Sequence, residues 1–241
     1  MNSVSDISCV SGQMPRIVGL AYASKLYRNN KNLSDMENFS INGNEVVFGT
    51  IGDASTSEGH FWEAINACGV LQVPLIMSIW DDGYGISVPS EYHTTRNDLS
   101  KALSGFQRSS KKENGYEIFT VHAWDYINLL KTYQKAEKLA REDHVPCIIH
   151  VKDVTQPQGH TTSGSHERYK SKERLNWEKD FCCIKRMREW IIENNFASNS
   201  EIEIIERNAE DIAKKSRDRS WKSYRDDTVS YTHLRAHETL P

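Results

Sequence analysis

Four apolar runs rich in β-branched residues, set out as two strand–helix–strand pairs, constrain this chain more than any other feature. "EVVFGTIG" (Glu45–Gly52) and "VPLIMSIW" (Val73–Trp80) bracket a segment in which Phe61, Ala64, Ile65, Cys68 and Leu71 recur at helical spacing. "GYEIFTVHAW" (Gly115–Trp124) and "VPCIIHVKDV" (Val145–Val154) bracket a second such segment. There Asp125 is the expected N-cap, and Tyr126, Leu130, Tyr133, Ala136 and Ala140 form the stripe of a helix ending near Arg141. An unbroken apolar strand suits burial on both faces, and a strand–helix–strand unit closes as a parallel crossover. The expected architecture is α/β: a three-layer parallel sheet with helices on both faces.

"MPRIVGLAYASKLYR" (Met14–Arg28) reads as one more helix, with Ile17, Leu20 and Ala21 on one face. From Thr155 the chain turns polar in "TQPQGHTTSGSHERYKS". Two helices are expected beyond it. One carries Ile184, Met187 and Ile191; the other opens with a capping box of Ser200 and Glu203 and carries Ile202, Ile205, Ala209 and Ile212. "VSYTHLRAHET" (Val229–Thr239) continues no pattern and resembles a translated frame of a sequencing-library adapter. Residues 1–227 are therefore expected to be one native domain and 228–241 a non-native tail, in which His233 and His237 carry no function.

The formal charge of −3 gives no reason to expect nucleic acid or an anionic membrane as partner. No apolar run approaches the roughly 20 residues that span a bilayer, and the N-terminal residues lack a signal-peptide pattern. The five cysteines show no zinc spacing, and Cys68 and Cys147 sit in apolar runs as core thiols. A reducing cytoplasm is the expected location.

In a parallel sheet, ligands bind beyond the carboxyl ends of the strands, which is where Asp53 and Asp82 fall. After Asp53 come the small residues Ala54, Ser55 and Thr56, leading towards a helix whose free N–H groups favour a phosphate. A carboxylate beside a phosphate needs a cation between them, and magnesium commonly fills that role. The carbonyl of Tyr84 could supply a further oxygen, with Gly83 and Gly85 letting the loop bend. Taken on residue types alone, Asp53 reads equally as a helix N-cap and "DDGYG" as a surface turn.

The wider pattern separates these readings. Asp53 and Asp82 stand 29 positions apart (82 − 53), and the whole stretch resembles the thiamine-diphosphate signature. The chain is most similar to the α chain of the decarboxylating first component of 2-oxo acid dehydrogenase complexes. Glu58-Gly59, Phe61, Glu63-Ala64, Asn66, Pro74 and Tyr84-Gly85 keep that family's places. "AREDHVPCIIHVKDVTQPQGHTTSGSHERYKS" and "VSGQMPRIVGLAYASK" extend the likeness over roughly Ser8 to Asp227.

The resemblance implies the diphosphate half of a thiamine-diphosphate-binding fold. Asp53, Asp82 and the Tyr84 carbonyl would hold magnesium. Gly52, Ala54 and Ser55 would contact the diphosphate, and the backbone around Ser8 and Val10 would reach the aminopyrimidine. His160, in "GHT", is the catalytic candidate; without the motif it reads as a solvated loop histidine. His60, His93, His122, His144, His150 and His166 show no ligand spacing and read as surface, core or loop residues.

This chain departs from the family in having Asp81-Asp82 for an Asn-Asn pair, and "VTQ" (Val154–Gln156) where an arginine contact is usual. The "GSHERYK" variant suits a subfamily with fused α and β parts. The implied activity is oxidative decarboxylation of a 2-oxo acid with acyl transfer to the lipoyl arm of an acyltransferase component. The glutamate that activates the aminopyrimidine would come from a β chain or a fused pyrimidine-binding half. A long N-terminal stretch of the family is missing before Ser8, so an internal start is expected. A transketolase-like transferase and an inactive gene fragment are the alternatives.

Overall fold

A computed structural model describes residues 9–33, 36–156, 158–160 and 165–238. The chain divides into two compact units, one ending at Arg186 and the other beginning at Met187. In chain order the main elements are α1 (Met14–Asn29), β1 (Val47–Gly52), α2 (Gly59–Leu71), β2 (Leu75–Trp80), the short pair β3 (Tyr84–Gly85) and β4 (Val88–Pro89), and α3 (Leu99–Ala102). Then come β5 (Glu117–His122), α4 (Tyr126–Asp143), β6 (Cys147–Lys152), α5 (Lys172–Asp180), α6 (Cys183–Glu193) and α7 (Asn199–Glu238).

The four long strands form one sheet in the order β1-β2-β6-β5, every neighbour parallel. The step from β1 to β2 and the step from β5 to β6 cross the sheet in opposite directions. Crossovers of one hand therefore send α2 and α4 to opposite faces. The packing follows the two-residue period of the strands. Leu75, Met77 and Ile79 of β2 and Ile148 of β6 pack with Phe61, Ala64, Ile65 and Cys68 of α2 and with Ile17 and Ala21 of α1. Ile76 of β2 and Cys147, Ile149 and Val151 of β6 pack with Ala136 and Ala140 of α4. Full burial of each such branched side chain contributes about 1.5–3 kcal/mol. The expected α/β three-layer sheet is what the chain builds.

Some local expectations change. Leu20 is 53% exposed and Leu130 is 43% exposed, so the buried stripes run through Met14, Ile17, Ala21 and Ser24 in α1 and through Ala136 and Ala140 in α4. Asp125 does cap α4, its carboxylate accepting from the Asn128 amide at 3.2 Å. α5 was not anticipated; Ser171 caps it by accepting from the Arg174 amide at 3.2 Å. The capping box of α7 lies two residues earlier than expected. Ser198 accepts from the Glu201 amide, and Glu201 Oε2 accepts from the Ser198 amide at 2.8 Å. Among the described residues, no helix is long and apolar enough to cross a membrane.

Candidate cofactor and metal site

The sheet order reverses between β2 and β6, and there the carboxyl-end loops separate to leave a crevice. Main-chain bonds pin its floor: the Asp81 amide donates to Val151 O at 2.9 Å and the Val154 amide to Asp81 O at 3.0 Å. A cavity of about 720 Å³ opens above, lined by the turn after β1, the turn after β2 and the segment after β6. Val10, Gly52, Asp53, Ala54, Ser55, Asp82, Tyr84 and His160 all face this cavity. Ser8 lies outside the described residues. Val10 reaches the cavity from far away in sequence because the neighbouring Ser11 hydroxyl donates to Ser55 O at 2.9 Å.

Asp53 is 4% exposed and stands at the N-cap position of the 3-10 turn that follows, but its carboxylate makes no cap hydrogen bond. The four residues after it, Ala54–Ser57, form a single 3-10 turn, and α2 begins only at Gly59 behind Glu58. The small residues are thus a turn of their own and not the first turn of α2. The "DDGYG" segment does make turn bonds. Asp81 Oδ1 accepts from the Gly83 amide at 2.9 Å, and Asp82 Oδ1 from the Tyr84 amide at 3.1 Å. Gly83 holds φ +81°, a left-handed value that a side chain resists. Gly85 serves differently: a Cβ there would lie 2.7 Å from Ala54 Cβ, so its bareness lets the two turns touch.

Asp53 Oδ2 is buried without a hydrogen-bond partner. Burial, and after it the neighbouring Asp81 charge, push its carboxyl up to about 7. Burial also raises Asp82. Asp81 goes the other way: burial would raise it, but the hydrogen bond and charge of His150 outweigh that and hold it low. His150 is fully buried, with Nε2 2.7 Å from Asp81 Oδ2 and Nδ1 2.6 Å from Ser100 Oγ. His93 Nε2 lies 4.0 Å from Asp53 Oδ2 and is itself buried without a hydrogen-bond partner.

His150 is thus a core residue and His93 a loop residue, as expected, but each also faces a site aspartate, which sequence reasoning missed. The signal for His150 was a lone polar residue inside the apolar run "CIIHV"; His93 offered none. Two cations were also missed. Arg174 donates to the Asp82 carbonyl at 2.8 Å, and Lys170 sits 4.9 Å over the Tyr84 ring.

Among the described residues, no lysine or arginine lines the cavity. A polyanion placed beside ionised carboxylates calls for a cation between them. Among the described residues, no three His, Cys, Asp or Glu side chains gather as a metal cluster. The available donors are hard oxygens: the free Oδ2 of Asp53, the carboxylate of Asp82 and main-chain carbonyls. Such a sparse oxygen set fits magnesium, which keeps several waters and shares its shell with phosphate. A buried carboxylate oxygen with no partner is the feature such an ion would explain.

Fold and site together define a doubly covered parallel α/β domain whose ligand crevice opens where the strand order reverses and presents carboxylates. The family described as the dehydrogenase E1 component matches residues 2–226, and the chain belongs to that family. It is 27% identical over 208 residues to the pyruvate dehydrogenase E1 component subunit alpha of Rickettsia bellii, covering 86% of this chain and 56% of that protein. It is 26% identical over 187 residues to the mitochondrial 2-oxoisovalerate dehydrogenase subunit alpha of Homo sapiens, covering 77% of this chain and 37% of that one. The chain spans about half the length, or less, of these curated relatives. A transketolase structure from Campylobacter jejuni aligns with 59% of this chain and 19% of its own, at 19% identity and a TM-score of 0.43, which bears on neither fold nor function.

Proposed function

We propose that this chain is the diphosphate- and magnesium-holding half of a thiamine-diphosphate-dependent 2-oxo acid dehydrogenase first component. Residues 1–227 carry that half, and 228–241 are a non-native tail. The observation that carries the proposal is the buried, partnerless Oδ2 of Asp53 at the end of β1, facing a cavity shared with Asp82 and Tyr84. Asp53, Asp82 and the Tyr84 carbonyl would hold magnesium, and the Gly52–Ser55 turn would take the diphosphate. The bound cofactor supplies the electron sink for decarboxylation of a 2-oxo acid. The chain's own residues bind and orient it: Ala54 and Gly85 set the closeness of the two turns, and Asp81, tied to His150, fixes the Gly83 amide. His160, at the rim on the segment after β6, would border the substrate side.

The remaining parts of the activity fall to partners. A β chain or a fused pyrimidine-binding half would complete the site, and a lipoyl-bearing acyltransferase component would receive the acyl group. We place the protein in the cytoplasm.

Calorimetric titration with thiamine diphosphate tests this, with and without magnesium and on Asp53→Ala. Binding that needs magnesium and is lost in the variant is expected. Equal binding in all three arms overturns the proposal.

A further inference from the structure

Three charged side chains, Lys170, Arg174 and Glu178, gather at the Asp82–Tyr84 turn without lining the cavity. Arg174, on the first turn of α5, donates through Nη2 to the Asp82 carbonyl at 2.8 Å. Its Nε donates to Glu178 Oε1 at 2.8 Å. The same Oε1 accepts from Lys170 Nζ at 2.8 Å, and the Lys170 and Glu178 side chains are 1% and 3% exposed. A buried carboxylate is costly to leave unpaired, so Glu178 holds both cations in place.

The guanidinium is fixed by more than ion pairing. It lies 4.7 Å over the Trp177 ring and 5.7 Å from the Tyr84 ring. Trp177 stacks on Phe181 at 5.1 Å, Phe181 meets Trp124 at 5.3 Å, and Trp124 stacks on His122 at 5.0 Å. The last ring is tied to Asp153 through Nδ1 at 2.5 Å. A continuous run of planar groups thus connects the edge strand β5 to the turn after β2. Through it, Arg174 is held on the main chain of a turn 92 residues away in sequence.

What Arg174 grips is one particular peptide. The Asp82–Gly83 peptide is held at its N–H by Asp81 Oδ1 and at its C=O by Arg174. Gly83 is left-handed, and nothing lies within 4 Å of where its Cβ would stand. No side chain packs over Gly83, and two hydrogen bonds hold this peptide from either end. This peptide directly adjoins the Asp82 side chain; one residue on, the Gly83 carbonyl accepts from the Ser90 amide at 3.0 Å.

We propose that Arg174, aligned by Glu178, is a positioning residue for the divalent-cation site: it fixes the Asp82–Gly83 peptide and so sets cation affinity without touching the cation. This rests on the reading of Asp53, Asp82 and the Tyr84 carbonyl as cation ligands.

The test is titration of the 241-residue chain with Mn²⁺ alone, followed by the electron paramagnetic resonance of the free ion. The unaltered chain is compared with Asp53→Asn, Arg174→Ala, Arg174→Lys and Glu178→Gln, each also melted by circular dichroism. Partners that orient metal ligands are typically worth 10–100-fold in affinity. Arg174→Ala and Glu178→Gln are expected to bind at least about tenfold more weakly. Arg174→Lys, which can still donate one hydrogen bond to the Asp82 carbonyl, is expected to recover part of the loss.

A merely structural role would lower the melting temperature and leave the affinity of the folded protein unchanged, and that result overturns the inference. If Asp53→Asn abolishes Mn²⁺ binding while Arg174→Ala binds like the unaltered chain, the inference fails and the cation site stands. If the unaltered chain and Asp53→Asn bind alike, or neither binds, the site assignment fails and the inference with it.

Discussion

His150 Nε2 lies 2.7 Å from Asp81 Oδ2, joining the middle of β6 to the residue that follows β2. The bond explains how two adjacent aspartates coexist at the mouth of the crevice. Asp81 spends its charge on a buried ring, which leaves Asp82 as the carboxylate free to serve the cavity. His150→Gln should leave Asp81 under-paired and destabilise the chain by about 1–3 kcal/mol. Urea unfolding measures this, and an unchanged midpoint would show that the pair is idle.

Asp53 should make the cation-free protein less stable as pH rises. Its folded pKa is raised to about 7 from an ordinary value of 3.8, so between those two values the folded chain holds a proton that the unfolded chain has lost. Stability contributed by that proton is fully present below about pH 4 and declines as pH rises through about 7. Asp53→Asn should flatten the decline and raise the melting temperature at pH 8 when no divalent cation is added. Thermal melts from pH 5 to pH 8 check this; parallel curves for both proteins would exclude it.

Gly85→Ala should separate the turns after β1 and β2, because the new Cβ would stand 2.7 Å from Ala54 Cβ. Overpacking of this kind costs about 1–3 kcal/mol. Thiamine diphosphate binding should weaken with it, and the double change Ala54→Gly with Gly85→Ala should restore binding. Failure of the second change to rescue the first would place the damage elsewhere.

The thiols should divide by burial. Burial pushes Cys68 and Cys147 up to about 12, whereas Cys9 is exposed. A coloured aromatic disulfide reagent should modify Cys9 promptly in the folded chain at pH 8, and Cys68 and Cys147 only after denaturant is added. Rapid modification of Cys68 in the folded protein would contradict the packing of α2 on β2.

What could be read from the sequence was local. The strands announced themselves through uninterrupted β-branched runs, and α2 through Phe61, Ile65 and Cys68, which are fully buried. The eight candidate residues share one cavity because parallel strands deliver their ends to one edge of the sheet. Which of two adjacent apolar residues turns inward was less legible. Leu20 and Leu130 fit the helical period but point outward, since that choice depends on the neighbouring layer. His93 and Arg174 were invisible, for they meet Asp53 and Asp82 across 40 and 92 residues of chain (93 − 53 and 174 − 82). Neither stands in a pattern that names its partner.

The pairing of Gly52 with Trp80 closes the β1–β2 ladder, and the two candidate metal-binding aspartates follow it by one and two residues. The two turns that carry them thus start from neighbouring strands, about 4.8 Å apart as in all sheets. A slip of one residue in that ladder would carry Asp82 to the opposite face and unmake the site in a single step.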